Sequence, residues 1–140
     1  MSVEQTKAIG QRFADLFNEH DMSIADEIFA PNFTSTFPQT PTLDREGWKR
    51  YIQVFFDAFP DLRQDTEEIL ATEDRLVIRA VYRGTHQREF QGIPPTNKKV
   101  TITATGLNHL ENGRIVRNIV EFDLAGLLLQ LGAIPAPGQS

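Results

Sequence analysis

The chain has 140 residues, no cysteine, and 14 basic against 19 acidic residues, a net charge of −5. That composition excludes a disulfide framework, a thiolate nucleophile and a cysteine metal site. The acidic balance, with basic residues scattered, argues against nucleic acid as a partner.

The opening segment, MSVEQTKAIGQRFADLF, lacks the basic start and apolar core of a signal peptide. No apolar run approaches the ~20 residues that a membrane span needs. The expectation is a cytoplasmic protein with no membrane partner, and the length fits one domain of roughly 100–200 residues. We place that domain at 1–134, with 135–140 as a tail that has no core-building pattern.

Ile9, Phe13, Leu16 and Phe17 lie on one face of a helix over Val3 to Asn18. Asn18-Glu19-His20-Asp21 breaks it. A second short helix spans Ser23 to Ala30 and stops at Pro31. Phe33 to Phe37 reads as a short strand bounded by Pro38 and Pro41. The third helix starts at Leu43 or Asp44, with Asp44 as N-cap, and ends at Phe59 before Pro60. Its aromatic residues cover more than half its circumference, so one side can face the core while another lines a cavity.

From Asp61 the pattern becomes strands, at Leu62 to Ala71, Leu76 to Gly84, Val100 to Leu110 and Ile115 to Asp123. His86 to Lys98 is a loop, read as a pocket rim. A closing helix runs from Leu124 to Leu131, with Asp123 as its N-cap. Three helices followed by long antiparallel strands make an α+β order. The sheet must curl so that the three helices pack in its concavity, which leaves a cone with an internal pocket for a small apolar ligand. Phe13, Phe33, Phe37, Trp48, Tyr51 and Phe55 are the aromatic candidates for its wall.

The turn at Asn112-Gly113 decides which side chains share a face, because a shift of one residue sends every side chain to the other side. A three-residue loop, Glu111-Asn112-Gly113, with Gly113 in a G1 bulge pairs Leu110 with Arg114. It puts Ile102, Ala104, Gly106, Asn108, Val116, Asn118, Val120 and Phe122 on one small, mostly apolar face. Thr101, Thr103, Thr105, Leu107, His109, Ile115, Arg117, Ile119, Glu121 and Asp123 then share the other. A two-residue type I′ turn instead moves His109 to the face of Val116 and Val120. The three histidines show no spacing that gathers metal ligands.

The segments FNEHDMSIADEIFAPNF, AFPDLR, GTHQREFQGIPPTNKKVT, ENGRIV and FDLAGLLLQLG span nearly the whole chain and resemble the SnoaL-like polyketide cyclase family, within the nuclear-transport-factor-2-like superfamily. The resemblance implies a cone-shaped α+β fold and a homodimer through the open sheet. It also implies a cofactor-free enzyme, without metal, that closes a ring on a polyketide methyl ester by an intramolecular aldol reaction. Such an enzyme uses an aspartate as general acid–base with a histidine on the neighbouring strand. Counted from the turn, those positions hold Gly106 and Val120 here, and neither side chain can move a proton. The bulged loop is the favoured turn because it places these two positions on a common face.

Catalysis of this kind would need a substitute group, and His109, His86 and Asp123 are the candidates. The other reading is a pocket without that catalysis, in which Asn108 and Asn118 orient an apolar ligand by hydrogen bonds.

Overall fold

The computed structural model describes residues 1–135 and 138. The tail assignment therefore falls, at 136, 137, 139 and 140, outside the described residues. The elements run α1 (Val3–Glu19), α2 (Ser23–Ile28), β1 (Phe29–Thr36), β2 (Leu43–Asp44), α3 (Arg45–Ala58), β3 (Arg63–Ala71), β4 (Arg75–Thr85), β5 (Lys99–Glu111), β6 (Arg114–Phe122) and α4 (Leu124–Gln130). No described helix is long and apolar enough to cross a membrane.

The six strands form one curved, unclosed sheet in the order β2-β1-β6-β5-β4-β3. Every pairing is antiparallel except β1 with β6. The long β3–β6 strands follow from β-branched alternation, with Ile78 and Ala80 buried on one face and Arg79 exposed on the other. The fold is the expected α+β class, with helices in the concavity of a mostly antiparallel sheet.

Local chemistry sets the helix ends. Ser2 and Gln5 form a reciprocal capping box on α1. The Asp44 carboxylate accepts from the Gly47 N–H at 2.7 Å and starts α3, as the sequence predicts. His20 closes α1 in the left-handed region, at φ 51°. Its Nε2 donates to the Leu62 carbonyl at 2.6 Å while its ring stacks on Phe56.

Two expectations change at β1. The second helix ends at Ile28 rather than Ala30, and the strand begins at Phe29 rather than Phe33. The reason is tertiary: Phe29 pairs with Ile115 of β6, and the register slips before Thr34 meets Arg117. That irregularity accommodates Pro31, which cannot donate to a ladder.

The core is aromatic. Trp48, 1 % exposed, meets Phe13, Phe17 and Phe29 edge-on at centroid separations of 5.9, 6.2 and 4.8 Å. Burying each such ring contributes about 1.5–3 kcal/mol. The cluster holds α1 and α3 together under the concave face of the sheet.

The segment between β4 and β5 is not a pocket rim. Gln91 and Gly92, both at positive φ, turn the chain between Phe90 and Ile93. Phe90 is fully buried and packs against Phe55 and Phe59 with tilted rings. The loop therefore plugs one end of the core, held by Phe90 with Ile93 packed beside it.

Candidate functional site

A cavity of about 80 Å³ lies between α1, α3 and the concave face of β3–β6. Phe13, Phe37, Trp48, Tyr51, Phe55, Gly106, Asn108, Asn118, Val120 and Phe122 line it. Phe33 does not; it stacks on Phe29 with ring centroids 3.8 Å apart, behind the wall. The aromatic residue nearest the expected place is spent on the core because β1 starts early and directs Phe33 toward Phe29.

The hairpin combines both readings of the turn. Asn112 and Gly113 both have positive φ, 50° and 79°, and Glu111 pairs with Arg114 across them. The loop is thus two residues long, not three. Leu110 pairs with Ile115, but His109 pairs with Arg117, so Val116 is an extra residue in a bulge. The bulge restores the parity that the short turn would have reversed. Gly106, Asn108, Asn118 and Val120 therefore face inward. The exchange is local: Ile115, fully buried, takes the inward place expected for Val116.

None of the three acid–base candidates reaches the cavity. His109 sits on the outer face between its register partners Arg75 and Arg117. Partial burial and those two cations depress its pKa. Asp123 is exposed and accepts from the Gly126 N–H at 2.8 Å as the N-cap of α4. His86 is fully buried but does not line the cavity; its Nδ1 accepts from the Thr96 N–H at 3.2 Å and its ring leans on Phe59. Among the described residues, no group of three His, Asp or Glu side chains is placed to hold a metal.

Among the described residues, Tyr51 and Tyr82 are the only titratable groups on the cavity wall. Burial pushes both phenols above their usual pKa, so they stay neutral at physiological pH. Tyr82 donates to the Gln64 Oε1 at 2.9 Å, and Gln64 donates to Thr66 at 3.0 Å. Gln64 and Tyr82 were missed from the sequence. They are register partners on β3 and β4, and the alternation used on the hairpin, carried back through Ile78 and Ala80, would have found Tyr82.

A second polar chain crosses the floor. Ser35 Oγ donates to Asn118 Oδ1 at 2.7 Å, Asn118 Nδ2 to Asn108 Oδ1 at 2.7 Å, and Asn108 Nδ2 to the Leu76 carbonyl at 3.1 Å. All three side-chain-bearing residues are at most 1 % exposed. A backbone carbonyl can only accept, so the Leu76 oxygen fixes the orientation of both amides and of the Ser35 hydroxyl. The site is consequently neutral throughout, apolar on the walls and amide-bearing on the floor.

A family model described as SnoaL-like polyketide cyclase matches residues 7–131. The fold is similar to that of IdmH from Streptomyces antibioticus, a candidate polyketide cyclase, with 31 % identity over 91 % of this chain and 99 % of that one and a TM-score of 0.83. It is similar to AclR from Streptomyces galilaeus, a candidate hydroxylase, with 25 % identity, 96 % and 100 % coverage and a TM-score of 0.88. TsrD from Streptomyces laurentii, at 22 % identity, 96 % and 99 % coverage and a TM-score of 0.85, shares the fold. No curated protein matches the sequence.

Proposed function

The chain belongs to the SnoaL-like polyketide cyclase family, and from that premise we propose that its cone receives a neutral, mainly apolar, polyketide-like carbonyl compound without a carboxylate–imidazole pair. The observation that carries this reading is that, among the described residues, no Asp, Glu, His, Lys or Arg lines the cavity wall. Aldol chemistry by a carboxylate needs a proton acceptor beside the substrate. Gly106 and Val120, register partners across β5 and β6, supply none. Any cyclisation or isomerisation here acts through confinement of a folded substrate and neutral hydrogen bonds, with no cofactor.

Trp48 is the chain's one tryptophan and lies on the cavity wall. Its single indole N–H resonance should therefore shift saturably when the labelled protein is titrated with the bicyclic probes tetralin or 1-tetralone. A resonance indifferent to both at millimolar concentration would sink the binding reading. Efficient aldol closure of a polyketide methyl ester by the unmodified chain would sink the claim that the pocket works without a charged base.

The same proposal includes a homodimer through the outer face of the sheet. Leu70, Val77, Leu107 and Ile119 are successive register partners across β3, β4, β5 and β6. Leu70 and Leu107 are 58 % and 36 % exposed, so the row is an apolar stripe open to solvent. Leu107→Asp should convert a dimer to monomers in light scattering while leaving the far-UV spectrum intact. An unchanged mass for that variant, or a monomeric parent, would remove this part of the proposal.

A further inference from the structure

The floor of the cavity contains an unused pair of donors. A primary amide carries two N–H bonds. Asn108 spends one on the Leu76 carbonyl and Asn118 spends one on Asn108. Each therefore retains one. Both nitrogens border the same empty spot: a Cβ built on Gly106 would lie 3.8 Å from Asn118 Nδ2 and 3.9 Å from Asn108 Nδ2. Val120 Cγ2 lies 3.8 Å from the same point, and no atom outside residues 105–107 comes closer.

Gly106 has no other reason to be glycine. Its φ is not among the positive values of the chain, and no neighbour presses on it as Phe59 presses on Gly84 at 3.1 Å. A glycine inside a strand weakens it and often marks a place where something must approach the backbone. Here the missing side chain leaves room for one atom between two amide nitrogens.

The polarity of that atom follows from the chain of hydrogen bonds. Ser35, Asn118 and Asn108 are aligned head to tail, and such alignment strengthens the N–H donors within it. Among the described residues no Lys, Arg or His side chain lines the wall to bind a carboxylate, and the rest of the wall is mainly apolar. We infer that Asn108 and Asn118, over the gap at Gly106, form a two-donor site for a neutral carbonyl oxygen of the bound compound, so that the pocket selects ketones over hydrocarbons of the same shape. This inference rests on the binding reading above and specifies where the ligand's oxygen sits.

The test compares 1-tetralone with tetralin by amide-detected titration. In a merely apolar pocket tetralin binds tighter, because the ketone must give up its hydrogen bonds to water. With the two donors in place, 1-tetralone binds about tenfold tighter than tetralin, the order expected for one to two good hydrogen bonds. The side-chain resonances of Asn108 and Asn118 move with the ketone only, and the bound carbonyl stretch falls in frequency. Gly106→Ala fills the gap without a clash and should lower the ratio of the two affinities about tenfold. If tetralin binds as well as the ketone, or Gly106→Ala leaves the ratio unchanged, the donor site is wrong while the binding reading stands. If neither compound binds, both fall together.

Discussion

Val120→Asp is expected to cost roughly 3 kcal/mol of stability at neutral pH and to bring no ring-closing activity with it. The substitution puts an acid where the family resemblance implies one, in a wall that also holds Phe37, Phe55, Phe122 and two neutral tyrosines. A carboxylate there loses hydration, so its folded-state pKa rises above the unfolded value of ~3.9. The sign of the linkage follows. Below about pH 4 both states are protonated and the penalty is absent. It grows as pH climbs from the unfolded pKa to the raised folded pKa, the window in which only the unfolded chain is ionised, and is constant above it. Urea unfolding at pH 4.5 and 7.5 should show the variant close to the parent at the first and much weaker at the second.

Activity should stay absent because the position opposite is Gly106, its register partner across the strands. Adding Gly106→His puts an imidazole next to the new carboxylate, and this double variant should recover part of the stability at pH 7.5. Substantial ring closure by Val120→Asp alone would show that the reaction does not need the histidine.

Asn118→Ala should destabilise the protein by about 3 kcal/mol, more than a surface asparagine would. Asn118 is 1 % exposed and holds Ser35 and Asn108 at 2.7 Å on either side. Removing it strands a buried hydroxyl and a buried amide oxygen, each costing roughly 1–3 kcal/mol when unpaired. Because Asn108 and Asn118 act in one chain, their losses should not add. A double-mutant cycle with Asn108→Ala should give a coupling of about 1 kcal/mol or more in chemical denaturation. Additive losses would mean that the two amides are independent, and would weaken the case for a polarised pair of donors.

Much of the site is legible in the sequence. Face parity placed Gly106, Asn108, Asn118 and Val120 together, and they do share the inward face. The loop length behind that assignment was mistaken. The two-residue turn at Asn112-Gly113 and the bulge at Val116 shift the ladder in opposite senses, and the two shifts cancel. A bulge leaves no strong trace in residue types, since Val116 looks like any strand valine. Phe33 failed for a related reason: its direction depends on where β1 joins β6, a contact between segments about eighty residues apart.

The sequence by itself determined the α+β order, the helix caps at Asp44 and Asp123, the absence of cysteine chemistry and the presence of two residues that cannot move a proton, Gly106 and Val120. These are local properties, carried by periodicity, side-chain chemistry and chain counting. Only the tertiary structure decided that His109 faces outward, that His86 is sealed behind Phe59, and that two asparagines converge over a glycine. Those facts depend on strand register and on which carbonyl an amide meets. Register is a relation between distant segments, so no single stretch of the chain contains it.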